Sequence, residues 1–110
     1  MNTLRNKVQL IGNLGNDPEI INLESGKTLA KFAIATNESY KNVQGEKVTD
    51  TQWHNIVAWG KTAQIVEKYV GKGKEVAIEG KLTTRSWEDK DGMKRYITEV
   101  VCSELLMLGK

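Results

Sequence analysis

Three tryptophans in two alternating segments are the residues of this chain best suited to hold a flat ring by stacking. In the segment 51–61, Trp53 and Trp59 occupy odd positions, so a β-strand would place both indoles on one face. The even positions suit a modest core: His54, Ile56 and Ala58. This segment alone leaves two arrangements open, because the reverse one buries both indoles and exposes His54 to water.

The segment 74–87 favours the arrangement in which the indoles are exposed. Trp87 shares the odd face with Lys81 and Arg85, and a core face would not carry two cations. The even face holds the aliphatic residues Val76, Ile78 and Leu82. Bases of single-stranded nucleic acid stack on exposed rings while Lys and Arg follow the phosphates, so this face is suited to such a ligand. The alternative is a solvated charged face with one isolated tryptophan.

Length and composition predict one globular domain. The chain has 110 residues, of which 39% are hydrophobic and 27% charged, with a net charge of +2. That net charge is too small to indicate a polyanionic partner, so only the local placement of cations can do so. The sequence has no apolar run long enough for a membrane span and no signal-peptide core near its N-terminus.

The supply of titratable and metal-binding residues argues against an enzyme. The chain has one His, one Cys and no glycine-rich phosphate loop. His54 with Asp50 would be a poor metal site without further ligands, so we predict no catalytic residue, no metal and no cofactor. Cys102 lies among aliphatic residues and is predicted to be a packed thiol, which fits a reducing intracellular compartment.

Hydrophobic periodicity predicts five main strands and one helix. The strands are expected over 7–14, 29–36, 51–61, 74–87 and 94–102, with a helix over 61–70 and a short extended piece over 19–23. The polar residues 37–50 predict a long mobile hairpin loop, and the apolar residues 105–108 need a cover from the barrel or another subunit. This order predicts an all-β protein with one short helix: the OB-fold, a five-stranded Greek-key β-barrel that binds oligonucleotides and oligosaccharides.

Four motifs carry a more specific resemblance. They are Asn6-Lys7-Val8-Gln9-Leu10-Ile11-Gly12-Asn13-Leu14-Gly15-Asn16-Asp17-Pro18-Glu19, Thr51-x-Trp53-His54 with Trp59-Gly60-Lys61, Glu79-Gly80-Lys81-Leu82 with Arg85-x-Trp87, and Met107-Leu108-Gly109. Together they resemble bacterial and mitochondrial single-stranded DNA-binding proteins, in register over essentially the whole chain. The resemblance implies an OB-fold homotetramer, a dimer of dimers, that wraps single-stranded DNA in replication, recombination and repair. It implies the bacterial cytoplasm, at the nucleoid, rather than the mitochondrial matrix.

The resemblance also implies roles for individual residues. Stacking rings are implied at Tyr40, Trp53, Trp59 and Trp87. Phosphate or polar contacts are implied at Lys7, Asn55, Lys61, Lys72, Lys81 and Arg85, with Arg5 and Arg95 as further candidates. His54 matches a position at the subunit contact, which agrees with an outward direction for the indoles beside it.

The chain departs from the family pattern at three of these positions. Tyr40 stands where Trp is common, which weakens stacking there, and Trp59 stands where Phe is common, which enlarges the platform. Asn55 replaces a frequent basic residue and so removes one phosphate contact. The sequence stops at Gly109-Lys110, so we expect a single domain of residues 1–110, either a naturally tailless form or a truncated core, without the flexible linker and acidic tip that recruit other enzymes in bacterial members.

One alternative function is that of an accessory OB-fold subunit whose aromatic face binds a protein in a replication or primosome complex. The cations Lys81 and Arg85 beside Trp87 argue against this function. A titration with DNA distinguishes the two.

Overall fold

The computed structural model describes residues 4–108, which form six strands and one helix. In chain order the elements are β1 Val8–Leu14, β2 Glu19–Asn22, β3 Thr28–Lys41, β4 Lys47–Trp59, α1 Gly60–Tyr69, β5 Glu75–Glu88 and β6 Lys94–Leu108. The expected end of the chain without a tail, at Gly109 and Lys110, lies outside the described residues.

Five of the strands close into a barrel in the order β1-β5-β6-β4-β3. The barrel closes because β3 pairs with β1, through Asn13–Ala35 and Leu14–Ile34. All neighbouring pairs are antiparallel except β4 and β6, which run parallel over a short contact near Ile56. The short strand β2 adds to the free edge of β3. The predicted OB-fold is therefore confirmed, with β2 as an extra edge strand.

The inner faces of the strands and one face of the helix form the core. Ile34, Ile56, Val76 and Val66 are the largest fully buried side chains in the described part of the chain. Helix α1 packs against β3 and β4, and its Ala63 and Val66 join the core cluster. The left-handed φ of 61° at Gly60 lets the chain turn from β4 into α1 without an intervening loop.

The prediction of a long mobile loop over residues 37–50 is wrong. Strands β3 and β4 stay paired out to Lys41–Lys47, so only a short turn joins them. Side chains bond across this hairpin, from Thr51 Oγ1 to Asn37 Oδ1 at 2.6 Å. Most side chains of this extension are exposed on both faces, so its sequence lacks the apolar alternation that marks a half-buried strand.

Two smaller expectations also differ from the structure. Strand β6 was expected over 94–102, but it continues through the apolar residues 105–108, where it stays paired with β5 as far as Glu75–Leu108. Leu82, expected on the core face, is 48% exposed, because β5 there has left the barrel and forms an arm with β6. Within residues 4–108, no helix is both long and apolar enough to cross a membrane.

Candidate nucleic-acid interface

The tryptophans of β4 lie on the outside of the barrel. Trp53 is 60% exposed and Trp59 is 44% exposed, whereas Ile56 and Ala58 on the alternate face are buried. Val57, between the two indoles, is also buried, although it lies outside the core cluster. The sequence of β4 left two arrangements open, and the structure has the one in which the indoles are exposed.

A glycine directly after β1 supports the Trp53 ring. A Cβ atom on Gly15 would lie 2.6 Å from Trp53 Cζ3 and 2.7 Å from Cη2, which is closer than carbon atoms approach. The indole thus rests against bare backbone, and Gly15 N–H donates to Ala33 O at 3.2 Å. This support holds the ring of Trp53 in place before any ligand arrives.

On the β5–β6 arm, Trp87 lies beside charged residues of its own hairpin. It is 43% exposed, and the guanidinium carbon of Arg85 lies 5.6 Å from its ring centroid, within range of a cation–π contact. Arg85 also donates two hydrogen bonds to the carboxylate of Glu99, from Nε at 3.0 Å and from Nη2 at 3.3 Å. The hydrogen bonds and then the charge of Glu99 raise the pKa of Arg85 above its ordinary value.

Tyr40 lies on a different face from Trp53. Tyr40 pairs with Val48 across the β3–β4 hairpin, while Trp53 pairs with Ala35. Because side chains alternate along a strand and paired residues share a face, Tyr40 is on the opposite side of the hairpin from Trp53. Tyr40 is 56% exposed, so its ring is accessible, but the structure does not bring it together with the indole of Trp53.

The predicted cations are at the surface, and some are already paired. Lys7 Nζ lies 3.5 Å from Glu79 Oε1; a hydrogen bond from Gln9, and then the charge of Lys7, lower the pKa of Glu79. Arg95 Nε donates to Asp89 Oδ2 at 2.8 Å. The other predicted cations are exposed: Arg5, Lys61, Lys72 and Lys81.

A cleft of about 220 Å³ lies between the two arms, at the end of the short stretch over which β4 and β6 pair. It brings Asn55 of β4 together with Arg85 of β5 and with Lys31 and Glu99, which the sequence did not single out. Lys31 could have been identified from the sequence by its odd position in β3, which puts it on the same face as the residue that pairs with Trp53. No comparable pattern in the sequence identified Glu99, because the residue that its carboxylate contacts depends on the register between β5 and β6.

His54 is half-buried on the face opposite the indoles, with Nε2 3.0 Å from Thr36 Oγ1. Among residues 4–108, no three His, Cys, Asp or Glu side chains are grouped to hold a metal ion. Cys102 is a buried thiol that donates to Glu104 O at 3.1 Å, and burial raises its pKa to about 11. It is therefore protonated at neutral pH and not a nucleophile.

A second, larger cleft of about 890 Å³ lies against β1, β5, β6 and α1. Its lining includes exposed apolar side chains from three of these elements, namely Ile11 at 58%, Ile65 at 42% and Leu106 at 64% exposure. It shares no lining residue with the cleft between the arms. An apolar surface of this kind is typical of a contact with another protein chain.

Fold and surface together define an OB-fold protein with a face of exposed indoles and cations. The sequence matches the Single-strand binding protein family over residues 5–108, and the chain belongs to that family. It is 52% identical over 105 residues to the "Single-stranded DNA-binding protein 1" of Chlorobaculum tepidum, covering 94% of this chain and 65% of that protein. It is 43% identical over 106 residues to the protein of the same name from Xylella fastidiosa, covering 96% of this chain and 78% of that protein.

A similar solved structure is that described as "Plasmodium falciparum SSB complex with ssDNA". The TM-score is 0.88 at 34% sequence identity, with 99% of this chain and 100% of that chain covered. The likeness thus extends over the described barrel and both arms. By contrast, the chain spans slightly less than two thirds of the length of the Chlorobaculum protein.

Proposed function

We propose that this chain binds single-stranded DNA without sequence preference and protects it during replication, recombination and repair. The observation that carries the proposal is the exposure of Trp53, Trp59 and Trp87, each between 43% and 60%, on one barrel and its two arms. Every base has a π-face, so stacking on these rings does not depend on base identity. The names of the relatives and of the similar complex support the same ligand.

The binding energy comes from rings and from cations. Each stacked ring contributes about 1–3 kcal/mol, so the three indoles and Tyr40 supply most of the affinity. Lys and Arg add a salt-dependent contribution by releasing counterions from the phosphates. The proposed phosphate or polar contacts are Lys7, Asn55, Lys61, Lys72, Lys81, Arg85, Arg5 and Arg95.

The position of Tyr40 adds a condition to this proposal. Because Tyr40 is on the opposite face of the β3–β4 hairpin from Trp53, one strand that stacks on both rings has to pass around the hairpin. The platform is therefore not one flat surface. A single strand is flexible enough to follow such a path, whereas a duplex hides its bases and has a persistence length of about 150 base pairs.

We also propose that the protein assembles as a homotetramer, a dimer of dimers. The larger cleft supports this assembly, since Ile11, Ile65 and Leu106 leave an apolar surface that a second copy could cover. His54 is proposed to lie at a subunit contact. Light scattering at micromolar concentration tests the proposal, with a mass near four chains expected and a monomer mass contradicting it.

The proposed activity is binding and not catalysis, without metal or cofactor, at the nucleoid in the bacterial cytoplasm. The bacterial source of both relatives supports this location. The buried, protonated thiol of Cys102 supplies no nucleophile. Nuclease and ATPase assays test the activity, and turnover that persists in purified protein would contradict the proposal.

Titration with oligo-dT tests the DNA-binding proposal directly. We expect quenching of tryptophan fluorescence that saturates with oligo-dT, similar affinity for mixed-sequence strands, and weaker binding as salt is raised. Duplex of the same length is the control and should bind far more weakly. Absence of any interaction with single strands would favour the alternative of a protein-binding OB-fold subunit.

A further inference from the structure

The acidic residue Glu99 has an unusual position for a DNA-binding face. It belongs to β6, on the face that carries Arg85 and Trp87 of β5, and is only 7% exposed. A carboxylate near bound phosphates repels them, and burying its charge is costly unless it is paired. Its partner among the described residues is Arg85, which donates two hydrogen bonds to it.

Arg85 connects this buried carboxylate to the stacking ring. Its guanidinium reaches Glu99 through Nε and Nη2, and its central carbon lies 5.6 Å from the Trp87 centroid. The same planar group is thus held by the carboxylate and placed over the indole. If Arg85 turned away to a phosphate, Glu99 would stay buried without a partner, which is strongly unfavourable.

We propose that Glu99 is a positioning residue for DNA binding: it holds Arg85 against one face of the Trp87 indole, which leaves the other face for a base. Arg85 is among the phosphate or polar contacts proposed above, and this inference revises its role: Arg85 forms a fixed side of the stacking site and does not follow a phosphate as a free cation. This inference rests on the proposed role of Trp87 in binding single-stranded DNA. It deepens that proposal by adding an acidic residue to a site otherwise built of rings and cations.

The first test needs no DNA and so does not depend on the proposed function. In a protein with Trp53→Phe and Trp59→Phe, Trp87 is the only indole, and its N–H resonance and emission report on its surroundings. We expect Glu99→Gln to shift both signals, because the charge that fixes Arg85 is removed. Glu88→Gln is the matched control, since Glu88 is an exposed neighbour of Trp87 and should leave the signals unchanged.

The second test uses the sign of the change in affinity for oligo-dT. Removing a negative charge should by charge alone strengthen DNA binding, and we expect at most this small effect for Glu88→Gln. For Glu99→Gln we expect the opposite, a loss of about fivefold, which is the lower end of a stacking contribution. The loss should disappear in a Trp87→Ala background, because the carboxylate acts through that ring.

Arg85→Lys keeps the inference testable if Glu99→Gln fails to fold. The Arg85 side chain is 51% exposed, so lysine is tolerated, yet an ammonium cannot make the two-pronged bond and cover the ring together. We expect a similar loss of about fivefold, since 1 kcal/mol of stacking corresponds to that factor. Wild-type affinity for Arg85→Lys would mean that Arg85 acts as a point charge, which overturns the inference.

The salt dependence of oligo-dT binding distinguishes two roles of Arg85, as a fixed side of the stacking site or as a phosphate contact. In a protein with both Arg85→Gln and Glu99→Gln, the net charge of the pair is zero, as in the wild type. If Arg85 is a fixed side of the stacking site, the slope of log affinity against log salt stays unchanged while the affinity falls. A slope smaller by about 0.7 would identify a lost phosphate contact and contradict the inference.

Discussion

The two hairpin arms of this protein look alike but hold their tryptophans in different ways. Trp53 of the β3–β4 arm rests on the backbone of Gly15, a residue of the barrel. Trp87 of the β5–β6 arm is held by the charged pair of Arg85 and Glu99 within its own hairpin. One ring is therefore positioned by close packing and the other by charge, so the two should respond differently to mutation.

The tips of the arms show the same contrast. At the β3–β4 tip, Asn42 Oδ1 accepts hydrogen bonds from the N–H groups of Gln44 and Glu46. At the β5–β6 tip, Asp89 Oδ1 accepts them from Asp91 and Met93, while Oδ2 accepts one from Arg95. Both turns have the same kind of hydrogen bonding, but the Asp89 carboxylate can change its charge, whereas the Asn42 amide cannot.

The largest effect is expected when a ring is removed from each arm. Trp53→Ala together with Trp87→Ala should weaken binding of oligo-dT by about 30-fold or more, at about 1–3 kcal/mol for each ring. Fluorescence anisotropy of a labelled oligonucleotide measures the change, and circular dichroism verifies the fold. Tyr69→Ala, which removes an exposed ring from α1, is the control. Unchanged affinity of the double variant with a native spectrum would contradict stacking on the arms.

The second prediction concerns how the arms join the barrel. The β3–β4 pairing is continuous, whereas the β5–β6 register shifts between Glu79 and Gly80, where a Cβ atom would clash with Val101 O. We expect Gly80→Ala to lower the free energy of unfolding by about 3 kcal/mol, measured by urea denaturation. Gly71→Ala meets only the Asp17 side chain at 3.3 Å and should change stability little. Equal midpoints for both variants would mean that the shifted register is not rigid.

A smaller effect is expected from the support under Trp53. Gly15→Ala adds a methyl group where the ring now lies, so the indole must move. We expect a loss of about 1 kcal/mol in binding to oligo-dT, near the lower limit for one stacked ring. In a Trp53→Ala background the same substitution should cost nothing further. An equal loss in both backgrounds would show that Gly15 acts through the barrel and not through the indole.

The smallest effect is a pH response confined to one tip. The hydrogen bond from Arg95, and then those from the Met93 and Asp91 backbone, lower the pKa of Asp89. A lowered pKa in the folded state means that the stabilisation is present above the ordinary carboxyl pKa and is lost as pH falls through the lowered value. The NMR amide shift of Met93, whose N–H donates to Asp89 Oδ1, should therefore change in acid.

The Asn42 tip is an internal control for this response. The amide shift of Gln44 should keep its value over the range in which Asp89 takes up its proton, because the Asn42 amide that accepts from it does not titrate. Asp89→Asn should remove the acid response of the β5–β6 tip. Identical titration of both tips would point to general acid unfolding and contradict the comparison.

Much of the fold followed from alternation in the sequence. The inner faces of β1, β4 and β5 and the helical spacing of α1 each had an apolar pattern, which a barrel core requires. The outer arm of β3–β4 had no such pattern, because a hairpin exposed on both faces needs no apolar residues. Its polar composition therefore predicted a loop, although backbone pairing holds it as a strand.

The sequence by itself determined that the two indoles of β4 share one face of the strand, and it favoured an outward direction for Trp87. A period of two assigns Trp53 and Trp59 to one face of β4, and the cations on β5 indicated that Trp87 faces outward. Only the tertiary structure decided what holds each ring, namely Gly15 for Trp53 and the pair of Arg85 and Glu99 for Trp87. The physical reason is that alternation within a strand defines a face, whereas a neighbour from another strand depends on the register and closure of the barrel.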